Sequence, residues 1–251
     1  MKFQYASDLH LEFSQNLKFL KQSPIIPIAD YLLLAGDILP IVMIERYREF
    51  FDYLADHFRA VYWVPGNHEY YHADIQASCG SFCEKIRDNV FMLNDTALEI
   101  EGDQLIFSTL WSEISDANAP YISAGMADFR LISDAGKPFT TGRYNQLHQN
   151  SRTFIAHALA KSDCEKKIVV SHHVPTFQYY PPEYLGSTLN EAFASDLEPL
   201  IIENKPDFWI FGHHHRNTGD FQIGRTSMRT NQLGYVHQGE QQGFVSGKLL
   251  V

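Results

Sequence analysis

Five short apolar runs in this chain each end in side chains that bind metal ions. Phe3 to Ala6 leads to Asp8 and His10, and Tyr31 to Ala35 leads to Gly36-Asp37. Val61 to Val64 leads to Pro65-Gly66-Asn67-His68-Glu69, Ile168 to Val170 to Ser171-His172-His173, and Phe208 to Phe211 to Gly212-His213-His214-His215. Runs of this kind predict strands buried on both faces. Open α/β sheets bind ligands at the carboxyl ends of their strands. The repeated ending therefore predicts one edge furnished with Asp, Asn and His from five strands. A lone strand-end Asp or His is more often a hydrogen-bonded loop residue, but that reading gives no reason for five such groups on one edge. Gly36, Gly66 and Gly212 directly precede three of them, and the expectation is that glycine permits the tight turn that aims the next side chain.

A sixth run, Leu105 to Phe107, has no such ending. Helical patterns lie between the runs. Met43, Tyr47, Phe50, Phe51, Leu54 and Phe58 follow a 3.6-residue period, as do Ile75, Cys79, Phe82, Cys83 and Ile86 within Asp74 to Asp88. Ser195 is placed to cap a helix running to about Glu203, and another helix is expected over Asn145 to Ala160. Strands alternating with helices predict an α/β architecture. Phe221 and Ile223 alternate with polar residues, so the C-terminal part is expected to supply antiparallel strands that form or finish a second sheet. Residues 112–150 are polar and aromatic without a strong period, and are expected to be either a lid, a wall of a substrate cleft, or a solvated insertion. The chain, 1–251, is otherwise read as a single domain.

Composition limits the function. The chain has 251 residues and 45% apolar content, which excludes a disordered chain. No apolar run approaches the roughly 20 residues of a membrane span, and the N-terminus lacks the apolar stretch of a secretory signal. Three cysteines cannot all pair within the chain, and the expected setting is cytoplasmic. The net charge of −10 disfavours long nucleic acid as a partner. Cys79 and Cys83, and Trp63 and Trp209, are expected in the core. Trp111, Tyr121, Tyr179 and Tyr180 are candidates for a cleft wall.

Carboxylate, imidazole and amide oxygen together suit Mn, Fe or Zn. So many ligands suit two ions sharing a carboxylate rather than one tetrahedral ion. The set Asp8-x-His10, Gly36-Asp37, Gly66-Asn67-His68-Glu69, His172 and Gly212-His213-x-His215 resembles the calcineurin-like metallophosphoesterases, in residue order and in placement after strands. The resemblance implies two packed mixed β-sheets flanked by helices, in four α/β/β/α layers. It implies that Asp8, His10, Asp37 and His215 hold one divalent ion and that Asp37 bridges to a second, completed by Asn67, His172 and His213. His173 is the alternative to His172. His68 would not be a ligand but a catalytic group facing the scissile phosphate.

The implied reaction is hydrolysis of a phosphate ester by a hydroxide shared between the ions. Two divalent ions outweigh Asp8, Asp37 and the hydroxide, so a positive spot would sit on a negative protein. Pro40 stands where purple acid phosphatases carry a tyrosine, so their chromophore is not expected. Asp37-Ile38-Leu39-Pro40 lacks the Asp-Arg-Gly element of the protein serine/threonine phosphatases. The chain is similar instead to small single-domain bacterial-type members, which include phosphodiesterases. A phosphodiester or small organic phosphate is the expected substrate. A phosphomonoesterase gripping its substrate through Arg130, Arg143 or Arg216, a nuclease, and a silent metal-binding scaffold are the alternatives.

Overall fold

The computed structural model describes residues 2–251. Strands β1 (Phe3–Ala6), β2 (Tyr31–Ala35) and β3 (Ala60–Val64) lie parallel side by side. A hairpin of β4 (Phe82–Arg87) and β5 (Val90–Asn94) continues that sheet through β5. The next hairpin, β6 (Thr96–Ile100) and β7 (Asp103–Ser108), opens the second sheet. A short ribbon, β8 (Ser133–Asp134) and β9 (Lys137–Pro138), stands apart. β10 (Lys166–Ser171) pairs parallel with β7, and β11 (Phe208–Ile210) pairs parallel with β10. β12 (Phe221–Ile223) and β13 (Thr226–Arg229) finish the second sheet as an antiparallel pair. β14 (Leu249–Leu250) crosses back to the first sheet, antiparallel to β1. The two six-stranded sheets have the orders β14-β1-β2-β3-β5-β4 and β12-β13-β11-β10-β7-β6.

The sheets pack face to face. Tyr5, Leu33, Val64 and Leu93 of the first meet Leu105, Phe107, Ile168, Val170 and Ile210 of the second. The opposite faces are covered too. Leu32, Leu34 and Trp63 pack on helices α1 (Ser14–Gln22) and α2 (Arg48–His57). Ile106, Val169 and Trp209 pack on the two long-range partners of that layer, α5 (Thr141–Lys161) and α6 (Glu198–Asn204). Burial on both sides is why these strands read as unbroken apolar runs. The order helix, sheet, sheet, helix is the four-layer architecture. Among the described residues no helix is long and apolar enough to cross a membrane.

Residues 112–150 are not a solvated excursion. They contain α3 (Ala119–Gly125) and α4 (Asp128–Leu131), and Trp111, Ile114, Ile122, Phe129, Phe139 and Tyr144 join Tyr70 and Ile75 in a buried cluster of their own. Trp111 is thereby core, not cleft wall.

Two helix expectations fail. Asp74 to Asp88 forms a 3₁₀ turn at Ile75–Ser78 and then edge strand β4. Gly80, at φ +74°, breaks the chain between them, and pairing with β5 outweighs the helical period. Cys83 is consequently exposed and Cys79 only half-buried, and all three cysteines are free. Ser195 does not cap α6. The helix begins at Glu198, whose N–H donates to Asp196 Oδ1, while Ser195 Oγ accepts from the Glu113 N–H across the fold.

Candidate metal centre

The strand-end groups converge at one edge of the two sheets. Asp8 and His10 follow β1, Asp37 follows β2, and Asn67 and His68 follow β3. His172 follows β10, and His213 and His215 follow β11. Ligand-type atoms of Asp8, His10, Asp37 and His215 lie within 4.8 Å of one another, and those of Asp37, His172 and His213 do the same. Asp37 belongs to both groups. Asn67 Oδ1 lies 3.3 Å from His172 Nε2, which brings the amide to the second group. His173 is outside both: its Nδ1 bonds the Thr109 carbonyl, and its ring lies between Trp111 and His213.

The backbone at this edge is unusual. Asp8, His10, Asp37, His213 and His215 all have φ between +47° and +79°. Left-handed backbone costs a non-glycine residue of order 1–2 kcal/mol. Such conformations persist where the surroundings enforce them and tend to mark functional sites. The loops hold one another in place. Asp8 N–H donates to Gly36 O at 2.9 Å, His10 N–H to Asp37 O at 3.0 Å, and Gly212 N–H to His172 O at 3.0 Å. Glu69 ties the β2 and β3 loops together, accepting from the N–H groups of Asp37, Ile38 and Gly66 and from Trp63 Nε1 at 2.6–3.0 Å.

The glycines act differently from one another. Gly36 has φ +88°, as a turn requires, and a Cβ there would also run into the His172 ring. Gly66 and Gly212 have no such φ and are small because of what approaches them. A Cβ on Gly66 would lie 2.1 Å from Asp37 Oδ1 and 2.7 Å from His172 Nε2. One on Gly212 would lie 2.5 Å from Asp8 Oδ2.

Each histidine of the two groups has one ring nitrogen tied outward to an oxygen. His10 Nδ1 meets Glu12 Oε1 at 3.2 Å, His215 Nδ1 meets Glu240 Oε2 at 2.8 Å, His172 Nδ1 meets Ala35 O at 2.9 Å, and His213 Nε2 meets Ala192 O at 3.3 Å. An outward N–H leaves the inner nitrogen a lone pair. The inner nitrogens then face each other in pairs, His10 Nε2 to His215 Nε2 at 2.9 Å and His172 Nε2 to His213 Nδ1 at 3.0 Å. Two lone pairs at that distance repel unless a cation lies between them.

In the metal-free chain a proton on one ring of each pair would relieve that repulsion. Burial alone would depress His172 and His215, but Asp37 beside the one, and Asp8 and Glu240 beside the other, push both up to about 9. Their partners His10 and His213 are driven down by burial and by the neighbouring histidines. In each facing pair one ring favours a proton and the other disfavours it. Burial works against the Asp8 and Asp37 carboxylates, yet the histidines around them hold both below the usual range. Asp37 Oδ2 is buried with no hydrogen-bond partner. Carboxylate oxygens and facing imidazole nitrogens, held in place from outside, fit divalent ions.

A family model described as calcineurin-like phosphoesterase matches residues 1–217. The chain belongs to this family. It is accordingly a metal-dependent phosphoesterase. An uncharacterized protein of Acanthamoeba polyphaga mimivirus is 31% identical, the match covering 93% of this chain and 91% of the viral one. Among solved structures, a phosphopantetheinyl hydrolase from Mycobacterium tuberculosis superposes with a TM-score of 0.73 at 17% identity, covering 100% of this chain and 95% of that one. The purple acid phosphatase PPD1 of yellow lupin, Lupinus luteus, gives 0.50 at 14% identity, covering 91% of this chain and 43% of that one. At these identities the two structures show a shared phosphoesterase fold.

Several residues around the family's metal edge carried no motif signal. Asp128, from α4, accepts from Asn67 Nδ2 at 2.9 Å and from the Tyr71 hydroxyl at 2.8 Å, which turns the Asn67 oxygen toward His172. Glu12 also meets His68 Nδ1 at 2.9 Å. Burial would raise the Glu12 carboxyl, but His10 and His68 bring it down to about 2. Tyr235 and Glu240 come from beyond the matched residues. The Tyr235 ring packs on His10 and His215, and its hydroxyl lies 3.3 Å from His68 Nε2. Only Glu12, two residues after His10 on the same loop, was within sight of a motif.

The arginines of the alternative monoester reading are tied to other groups of the chain. Arg130 Nη1 donates to Ala124 O, Arg143 pairs with Asp134, and Arg216 pairs with Glu183 and Glu240. His214 Nδ1 bonds Gln232 Nε2 and takes no part in the facing pairs.

Proposed function

We propose that Asp8, His10, Asp37 and His215 hold one divalent ion, and that Asp37, Asn67, His172 and His213 hold a second. On this reading the protein hydrolyses a phosphodiester or small organic phosphate. The observation that carries it is the facing of inner ring nitrogens in two pairs, at 2.9 and 3.0 Å, beside the Asp8 and Asp37 carboxylates. When bound, Mn, Fe or Zn would supply an ionised water at neutral pH and neutralise charge on the phosphoryl oxygens.

The chain's own residues do the rest. His68 lines the cleft beside the two ligand groups. Burial works against its imidazolium, but Asp37 and Glu12 outweigh that and raise it. When protonated, it is suited to donating a proton to the leaving oxygen or to bonding a phosphoryl oxygen. Glu12 holds its Nδ1 and so fixes the ring. Tyr235 is pushed up by burial and by the surrounding carboxylates, so its hydroxyl stays protonated and serves as a neutral donor at the same place.

Among the described residues lining the cleft there is no Lys or Arg. A dianionic monoester usually wants such donors. This supports the diester, with a single negative charge, over the monoester. The free cysteines and the acidic balance support a cytoplasmic setting and a small substrate.

The test is kcat/KM for bis(p-nitrophenyl) phosphate and p-nitrophenyl phosphate, side by side with Mn²⁺, together with metal content. Two ions per chain and preference for the diester are expected. A phosphopantetheinyl ester belongs in the same panel, because a structural neighbour is named for its hydrolysis. Preference for the monoester would overturn the diester reading, and two bound ions without turnover of either would favour a scaffold.

A further inference from the structure

The cleft that holds the metal-ligand groups has a second, chemically different wall. Its volume is about 360 Å³. On one side lie Asp37, Asn67, His68, His213 and His215. On the other lie Met126, Leu189, Phe193, Tyr180 and Tyr184, from two separated segments. Residues 125–127 end α3, and residues 180–193 form the irregular stretch before α6. The two segments touch directly, since a Cβ on Gly125 would lie 3.0 Å from Leu189 Cδ2. The wall is continuous with the metal edge, because the Phe193 ring stacks on His213 with centroids 4.5 Å apart. Leu189 and Phe193 are only half-buried, so apolar surface faces the cleft. At the mouth, Arg216 is held by Glu183 at 2.7 Å and by Glu240 at 3.6 Å, and so offers no free charge.

From this we infer the substrate class: a phosphate ester whose organic arm is uncharged and apolar, lying on the Met126–Leu189–Phe193 wall while the phosphate sits at the metal edge. The inference rests on the proposed phosphoesterase site but not on whether the substrate is a diester or a monoester. Water leaving an apolar wall favours apolar arms, whereas a second charged group would lose hydration there without a partner. Specificity is then set by residues remote from the reacting atoms.

The experiment is calorimetric binding of dimethyl, diethyl and dibutyl phosphate to the Mn²⁺-loaded protein. These probes carry one charge and have identical arms, so orientation does not matter. Full burial of a methylene is worth about 0.8 kcal/mol, or about fourfold in affinity. Kd is expected to fall along the series by up to that factor for each methylene laid on the wall. Leu189→Asp should flatten the series, and the milder Leu189→Asn should flatten it partly. Leu185→Asp, on the exposed part of the same loop, should leave the slope as in the wild type. Equal Kd values across the wild-type series, or a slope unchanged by either Leu189 variant, would overturn the inference. Failure of the diester reading is separable: if only p-nitrophenyl phosphate turns over, the same comparison is made with methyl, ethyl and butyl monophosphate.

Discussion

At the scale of single residues, the decisive distinction is between side chains that would hold an ion and side chains that would meet the substrate. Asp37 is in both ligand groups, is buried, and has an oxygen with no internal partner. His68 stands beside those groups with both ring nitrogens engaged, one by Glu12 and one by Tyr235. The two should therefore fail in different ways. Asp37→Ala is expected to lose bound metal and activity together. His68→Ala is expected to lower kcat by about 10²–10⁴-fold, the usual worth of a positioned acid or base, with metal content kept. Elemental analysis of both variants beside their kinetics checks this; an empty site in His68→Ala would make that residue a ligand instead.

At the scale of elements, the site is made by loops that cross at close range. Gly66 precedes the Asn67-His68 pair and lies against Asp37 and His172, from different sheets. Gly66→Ala would place a methyl group inside van der Waals contact with both. It should weaken metal binding at least tenfold, read as Mn²⁺ Kd by titration, even though alanine suits that backbone. Gly80 offers the contrast, with nothing within 4 Å of an added Cβ. The same scale explains the failed helix at Asp74 to Asp88. Local periodicity there competes with edge pairing to β5, and only the partner strand decides between them.

At the scale of the whole molecule, the proposed ions join the two sheets, because each ligand group draws residues from both. Binding should displace the proton held in each facing pair. Between pH 7 and 8, calorimetry of Mn²⁺ binding in buffers of different ionisation enthalpy should show about three protons released, two from His172 and His215 and one from the ionised water, falling toward one above pH 9. The metal-free protein carries the corresponding pH dependence. His172 and His215 sit above their unfolded value of about 6.5, so their contribution is complete below that pH and is lost as pH rises through about 9. His10, His213 and His214 sit below it, His214 near 4, so they oppose folding as pH falls under 6.5. The two sets cross near 6.5. Thermal scans after chelation should show a maximum Tm near that pH, and saturating Mn²⁺ should raise Tm most on the alkaline side. A metal-free Tm that climbs steadily to pH 9 would contradict the proton assignment.

The sequence by itself determined β1, β2, β3, β7, β10 and β11, their burial on both faces and the metal-binding residue types at the ends of five of them, whereas β4, β5 and β6 were not among the strands it predicted. Those depend on local composition, and a strand covered on both faces has little freedom but to be apolar throughout. It also determined that Gly36, Gly66 and Gly212 matter, though not that all three are needed for space and only Gly36 for φ as well. Asp128, Tyr235 and Glu240 were invisible, because a carboxylate or phenol in an irregular segment looks the same whether it meets water or a ligand. The same holds for Arg143 and Arg216, which pair with carboxylates that no local pattern links to them. Tertiary structure alone decided which nitrogen of each histidine faces inward, since that depends on Glu12, Ala35, Ala192 and Glu240. It also decided what the cleft can accept, because Met126 and Leu189 become one wall only when distant segments pack together.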